Sequence, residues 1–405
     1  MPVSKIRQAV ILAGGRGTRL GALTDHRPKP MVEIGGRPFI EYIVEMLRDA
    51  GIERIVFLLG YLSDVVVNHF GDGSAFGVAI DYAISGVDDE SGTRLRKARA
   101  RLDPAFLLLY CDNYWPLDLP ALQRTFDGGA CRGLLTVYRN TDAYTRDNVR
   151  IVDGRIVLYD KSRTSPDLAG VDVGFGIFER DVLDLLPAAG NPSFEATVYP
   201  QLVAAGGLAS FVTDHRYYSV GSVTRLPLTR EFLRRRRTVL VDRDGTLNVR
   251  MPRGQYVTTT AEWQWLPGTR EALGRLTAAG YRIIVITNQP GVARGALSQA
   301  DLESIHMLMK AEAAAAGASI DAVLTCMHGW GDGCACRKPE PGMLFEAQRH
   351  FSLDLSRTPF IGDDDRDAAA AERAGSPFYR VGSGHALPTI VDHLLEGERS
   401  FRNAS

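Results

Sequence analysis

Two apolar runs that stop abruptly at polar turns constrain this chain most. QAVILA (Gln8–Ala13) breaks into Gly14-Gly15-Arg16-Gly17-Thr18, and TVLV (Thr238–Val241) breaks into Asp242-Arg243-Asp244-Gly245-Thr246. A short continuous apolar run fits a strand covered on both faces, and in an open α/β sheet ligands bind beyond the carboxyl ends of such strands. Two such ends, one in each half of 405 residues, predict two α/β domains in tandem.

The intervening pattern agrees. QAVILAGG, RIVFLLGY, VAIDYAI, AFLLLYCDN and GLLTVYR alternate with helical stretches such as PFIEYIVEMLRDAG, a rhythm that predicts a mainly parallel, doubly wound sheet. It breaks near Thr229, where TREFLRRRR precedes the second apolar run, so the domains are predicted as 1–232 and 233–405. The Arg234–Arg237 run could bind phosphate, but a solvated hinge is the favoured reading. Beyond it, Leu273, Leu276 and Ala279 share a helical face. Ser298 with Asp301 reads as a capping box opening a helix through Leu302, Ile305 and Met309.

Charge excludes some partners. Forty-seven basic residues oppose 48 acidic ones, a net charge of -1, so no global field exists to hold nucleic acid or an anionic membrane. No apolar stretch approaches the ~20 residues that span a bilayer, and MPVSKIRQAVILAGG reads as a strand entering a loop, neither signal peptide nor anchor. Of five cysteines, Cys326, Cys334 and Cys336 fall within eleven residues, which argues for a metal cluster over disulfides and for a reducing cytoplasm.

Glycines after the first strand let backbone N–H groups approach a polyphosphate, while Arg16, Arg19 and Lys29 offset its charge. Taken whole, LAGGRGTRLGALTDHRPKPMVEIGGRPFI resembles the signature of the sugar-1-phosphate nucleotidyltransferases, and the likeness runs over roughly 7–228. It implies a Rossmann-like, GT-A-like mixed sheet. Leu12, Ala13, Gly14, Gly15, Arg16, Gly17 and Thr18 would bind the nucleotide, and Arg19 and Lys29 would act on phosphates. Lys161 and Gly174 would sit at the sugar phosphate, and Asp112 would hold Mg²⁺. Two departures stand out. Ser219 occupies the place of a second metal-binding carboxylate, and Ser91–Ala98 (SGTRLRKA) replaces the family's loop against base and sugar, so the base stays open.

Asp242 and Asp244, two apart at a strand end, suit a nucleophile and an acid/base for phosphoryl transfer. DxDGT resembles the haloacid dehalogenase (HAD) superfamily, which implies a second, parallel Rossmannoid sheet. By that likeness Thr287 is the phosphate-binding hydroxyl, Lys338 the screening cation, and Asp363 a Mg²⁺ ligand with Asp242 and the Asp244 carbonyl. Asp364 departs from relatives with lysine there, Asp365 reads as solvated, and Asp367 reads as orienting the loop. Cys326, His328, Cys334 and Cys336 form a C-x-H-x5-C-x-C set suited to a closed structural zinc site.

DRDGT, TNQPGVARG and that zinc loop look like the D-glycero-D-manno-heptose 1,7-bisphosphate phosphatases, with histidinol phosphatases as close relatives. The likeness implies that Asn288, Gln289, Arg294 and Arg337 contact substrate, and His306 receives no role. The expected protein is bifunctional: a phosphatase yielding heptose 1-phosphate, and a transferase joining it to an NTP, GTP by resemblance. The alternative is an active phosphatase fused to a catalytically silent sugar-nucleotide-binding module.

Overall fold

A computed structural model describes residues 5–382 and 384–402, so Met1–Ser4 of the first segment lie outside the described residues. The chain divides into two compact units, Met1–Leu233 and Arg234–Ser405.

In the first unit nine strands form one sheet. They are β1 Gln8–Ala13, β2 Arg54–Leu59, β3 Ala79–Ile84, β4 Ala105–Tyr110, β5 Gly133–Tyr138, β6 Val149–Val152, β7 Arg155–Tyr159, β8 Val171–Glu179 and β9 Leu208–Thr213, in the order β3-β2-β1-β4-β8-β5-β9-β7-β6. β1 pairs in parallel with β2 and β4, and every residue of β1 is buried. Alternate side chains feed two cores: Ala9 and Ile11 enter one, Val10 and Leu12 the other. That two-sided burial explains the unbroken apolar run.

The rest of the sheet departs from the parallel rhythm. β8 runs antiparallel to both β4 and β5, and β6 and β7 form a hairpin. Asp153 and Gly154 turn that hairpin with φ of 47° and 74°, the positive pair that a tight hairpin needs. The sheet is therefore mixed, as the nucleotidyltransferase resemblance implies, and less parallel than rhythm alone suggests.

The second unit is a five-stranded parallel sheet: β10 Thr238–Val241, β11 Arg282–Asn288, β12 Ile320–Cys326, β13 Phe360–Gly362 and β14 Phe378–Arg380, ordered β12-β11-β10-β13-β14. Helices Thr269–Ala278 and Gln299–Ala315 cover one face through Leu273, Leu276, Leu302, Ile305 and Met309. Gly342–Phe351 and Asp365–Ala374 cover the other through Met343, Leu344, Ala370 and Ala371. Ser298 and Asp301 close a reciprocal capping box. In the arginine run, Arg236 lies 3.8 Å from Asp321, and the Arg237 guanidinium lies 5.9 Å from the Tyr281 ring, both within this unit. No helix among the described residues is long and apolar enough to cross a membrane.

Candidate active sites

The first polar residue beyond β10 is Asp242, whose N–H donates to Ile361 O at 2.8 Å and whose side chain is buried. Lys338 is buried against it. Its Nζ donates to Asp242 Oδ1 at 2.5 Å and to Ile286 O at 2.9 Å, and pairs with Asp367 Oδ1 at 2.7 Å. The other oxygen of Asp367 accepts the Asp364 N–H at 3.1 Å, capping the helix that follows. Asp367 thus does more than order its loop, because it also fixes the ammonium that faces Asp242. Thr287, at the end of β11, is buried in the same cavity wall.

Asp244 is held differently. Its Oδ2 accepts from Arg243 Nε at 3.1 Å and Gln289 Nε2 at 2.7 Å, and its Oδ1 from Arg243 Nη2 at 3.1 Å and Asn248 Nδ2 at 3.0 Å. Burial alone would raise its pKa, but the Arg243 charge and these donors hold it below the ordinary carboxylate value. Asp242 goes the other way. Burial pushes it up to about 7, against the pull of Lys338 and with help from the Asp367 charge. One strand end therefore presents two carboxyl groups with opposite tendencies; a nucleophile must be ionised and a general acid protonated, so the shifts alone do not sort the two into those roles, and it is the Lys338 ammonium at 2.5 Å that favours the ionised form of Asp242.

Carboxylate oxygens of Asp242, Asp363 and Asp367 lie within 4.8 Å of one another. Burial raises Asp363 to about 6, opposed by Arg250 and reinforced by Asp367 and Asp364. Hard oxygen donors that repel one another this closely fit a divalent cation, and Gly245, with φ 94°, admits Asp363: a Cβ there would stand 2.1 Å from its Oδ2. The Asp244 carboxylate is not part of this cluster; its backbone carbonyl accepts from Arg250 Nε at 3.2 Å, and Arg250 Nη2 also meets Asp363 Oδ1 at 2.8 Å.

Asn288 and Gln289, expected at the substrate, are hydrogen-bonded to neighbouring residues of the cavity wall. Asn288 is hydrogen-bonded to the Lys338 backbone, and Gln289 Nε2 reaches both Asp244 and Thr287. Arg337 lines the cavity, of about 680 Å³, whereas Arg294 donates to Tyr256 Oη at 3.0 Å beside it. Asp365 is exposed and pairs with Arg380 at 2.7 Å. Sequence reasoning gave no role to Arg243, Arg250 or His306. Arg243 is buried and its Nη1 lies 3.1 Å from His306 Nε2, a relation across 63 residues that no local pattern carries.

Cys326 ends β12, and the sulfurs of Cys334 and Cys336 lie 3.7 and 3.3 Å from its Sγ. His328 Nδ1 lies 3.6 Å from Cys326 Sγ and 3.2 Å from Cys336 Sγ. Three sulfurs and one imidazole nitrogen, all within 4.8 Å of one another, match the donor set and the size of a tetrahedral zinc site. The Cys326 carbonyl accepts the Gln289 N–H at 2.7 Å, so the cluster abuts the loop that follows β11.

In the first unit a cavity of about 340 Å³ lies beyond β1 and β4, lined by Leu12, Gly15, Gly17, Thr18, Arg19, Lys29 and Asp112, with Tyr110, Cys111 and Gly221. Lys29 Nζ forms an ion pair with Asp112 Oδ2. Ser219 pairs with Asn113 across a short ribbon, and its Oγ accepts the Gly221 N–H at 2.9 Å. A Cβ on Gly221 would lie 3.4 Å from Asp112 Oδ2 and 2.9 Å from Ser219 Oγ, so the serine stands beside the carboxylate.

Ala13, Gly14 and Arg16 are not among the residues lining that cavity. Gly14 packs instead on the buried Arg94, which donates to Leu59 O, Ser85 Oγ, Gly14 O, Gly86 O and Val87 O at 2.7–3.2 Å. Arg16 faces Asp88 at 3.6 Å. Gly174 has φ 80°, and a Cβ there would meet the Tyr110 ring at 2.8 Å. Lys161 is largely exposed, 3.9 Å from Glu195.

The Nucleotidyl transferase family pattern matches residues 8–126, and a HAD-hydrolase-like pattern matches 335–399. A D-glycero-beta-D-manno-heptose-1,7-bisphosphate 7-phosphatase of Bordetella bronchiseptica is 40% identical over 162 residues, covering 40% of this chain and 89% of that protein. The chain belongs to that phosphatase family. It does so through its second unit, as a match to the Pseudomonas aeruginosa enzyme repeats: 37% identity over 166 residues, 41% of this chain and 92% of the relative. A Bacillus anthracis structure described as a glucose-1-phosphate thymidylyltransferase shares the fold of the first unit, with TM-score 0.51, 20% identity and coverage of 56% of this chain and 95% of that one. A nucleotidyl transferase unit thus precedes the heptose-bisphosphate phosphatase family unit on one chain.

Proposed function

We propose that the second unit removes the 7-phosphate of a D-glycero-D-manno-heptose 1,7-bisphosphate and that the first joins the resulting heptose 1-phosphate to a nucleotide. The observation that carries the phosphatase half is the buried Asp242–Lys338–Asp367 chain beside an Asp244 held ionised by Arg243. An Asp242 oxygen attacks phosphorus while the C7 oxygen departs and takes a proton from Asp244, leaving an aspartyl phosphate. Asp244 then takes a proton from water, whose oxygen attacks the same phosphorus and frees inorganic phosphate and Asp242. Asp244 is ionised at rest, so it suits the second step directly; the incoming phosphate's negative charge favours the proton it must carry for the first.

Thr287 and Lys338 donate to phosphoryl oxygens. Asp242 and Asp363 would hold Mg²⁺ with the Asp244 carbonyl, and the ion would screen the anionic nucleophile from the anionic phosphate. Zinc on Cys326, His328, Cys334 and Cys336 would be structural, bracing the segment that ends in Arg337 and Lys338.

In the transferase half, a sugar-phosphate oxygen attacks the α-phosphorus of an NTP and pyrophosphate leaves, so the protein's work is positioning and charge. Gly15, Gly17 and Thr18 face the cavity for the phosphates, with Arg19 and Lys29 as cations. Mg²⁺ entering with the NTP would find Asp112, from which Lys29 must turn toward the phosphates. GTP is the NTP we infer, from resemblance alone. The test is to incubate the protein with Mg²⁺, each anomer of heptose 1,7-bisphosphate and each of four NTPs, reading phosphate and pyrophosphate separately. The relatives are named for the β anomer, whereas the guanylyl-transfer likeness favours α, so both arms matter.

Two features support a second reading, a silent nucleotide-binding module regulating the phosphatase: Ser219 beside Asp112, and Arg94 in the loop that usually meets the base. Phosphate release without pyrophosphate from any NTP would select it.

A further inference from the structure

We propose that the indole of Trp330 is the face on which the sugar skeleton of the phosphatase substrate lies, with Arg294 as the positioning residue behind it. This rests on the phosphatase reading above and adds a specificity element to it. Among the described residues, Trp330 is the one strongly exposed large hydrophobic residue, 56% accessible, that lines the cavity containing Asp242. Holding so large an apolar surface in water forfeits the gain of burying it, and the neighbouring sequence, Gly329-Trp330-Gly331-Asp332-Gly333, offers no core to justify it.

The ring is nevertheless placed. Gly329 N–H donates to Asp332 Oδ2 at 2.8 Å, and the stretch is bounded by the cysteine/histidine cluster at His328 and Cys334. The Arg294 guanidinium lies 4.2 Å from the Trp330 ring centroid, while its Nη1 donates to Tyr256 Oη. Arg294 therefore ties the loop bearing Trp330 to the loop bearing Tyr256, two walls of one cavity. A cation on one face of an indole is attracted by the ring's quadrupole, which biases the ring's orientation.

The chemistry of the cavity divides accordingly. Asp242, Thr287 and Lys338 take the phosphoryl group being cleaved, and Arg253 and Arg337 offer charge to a second anion. Neither set recognises the carbon chain between them. A sugar presents C–H groups as well as hydroxyls, and an aromatic ring provides apolar area with little entropy to lose.

The test compares wild type with Trp330→Ala and Trp330→Phe in the full-length protein, on heptose 1,7-bisphosphate, fructose 1,6-bisphosphate and acetyl phosphate. Expected for Trp330→Ala is a KM about tenfold higher for the sugar bisphosphate that wild type cleaves, equivalent to ~1.4 kcal/mol. kcat should hold within about twofold, acetyl phosphate hydrolysis should not change, and Trp330→Phe should recover most of the loss. Equal losses on acetyl phosphate would mean that Trp330 only props the loop, and an unchanged sugar KM would remove its role; either overturns the proposal. If wild type cleaves fructose bisphosphate but not heptose bisphosphate, the heptose reading fails and Trp330 is judged on fructose bisphosphate. Cleavage of acetyl phosphate alone overturns both.

Discussion

Asn288 and Lys338 are locked together by two reciprocal hydrogen bonds: Asn288 Nδ2 donates to Lys338 O at 3.0 Å, and Lys338 N–H donates to Asn288 Oδ1 at 3.1 Å. The pairing mimics a strand ladder at the end of β11, and it fixes the backbone from which the Lys338 ammonium reaches Asp242. Asn288→Ala removes both bonds and leaves two backbone groups to find other partners, at about 1–3 kcal/mol. We expect phosphate release to fall about 10- to 100-fold in kcat, with pyrophosphate release unaffected.

The two chemistries should separate by mutation. Asp242→Asn is nearly isosteric and removes the proposed nucleophile, so phosphate release should disappear while nucleotidyl transfer persists. Asp112→Asn should do the reverse, because it removes the charge that faces Lys29 and that, on the proposed reading, would meet the metal carried by the NTP. Loss of both activities in either folded variant would show that the sites are not independent.

Cys334→Ser tests the cluster. About one tightly bound zinc per chain is expected by metal analysis of the wild type, and little in the variant. Because the Cys326 carbonyl holds the Gln289 N–H, and Gln289 in turn holds Asp244, zinc loss should lower phosphatase kcat at least tenfold and leave the transferase intact. A variant that retains full zinc would remove the site.

A pH effect should be readable in the first unit at Asp172. Burial raises its pKa to about 6, against the Gly174 N–H that it accepts and the Arg163 charge. A carboxyl whose folded pKa lies above its ordinary value of 3.8 binds more protons folded than unfolded between those limits. Its ionisation therefore costs stability progressively as pH rises from about 4 to about 6, and the full cost remains above that. Asp172→Asn keeps the acceptor and removes the charge, so it should unfold at higher temperature than wild type at pH 7.5, with the advantage shrinking toward pH 4. Equal midpoints at pH 7.5 would contradict the shift.

What the sequence made legible follows from the range of each interaction. The Asp242–Asp244 pair and the Cys326–Cys336 set each lie within a few residues, so a local pattern picks them out; the glycine loop is picked out only in part, since Gly15, Gly17 and Thr18 line the cavity and Gly14 and Arg16 do not. Arg243 could not be read this way. Its burial depends on His306 and on Trp263, whose ring centroid lies 5.8 Å from its guanidinium, both distant in sequence. The sheet was half legible for the same reason: apolar runs mark strands, but the antiparallel course of β8 is set by its pairing with β4 and β5.

Gly14 and Gly15 mark the limit of motif reading, because adjacent glycines in one loop are glycines for different reasons. A Cβ on Gly14 would stand 2.1 Å from the guanidinium carbon of Arg94, which is buried and committed to four carbonyls and a hydroxyl, and so has no room to retreat. A Cβ on Gly15 meets nothing within 4 Å, and the residue faces the open cavity. Gly14→Ala should therefore destabilise the first unit by about 1–3 kcal/mol through overpacking, read as a lower urea midpoint. Gly15→Ala should leave stability within about 0.5 kcal/mol, as for a surface change, yet raise the KM for the NTP, since the methyl intrudes where phosphates approach the backbone. Equal destabilisation by both variants would return Gly14 and Gly15 to a single shared role.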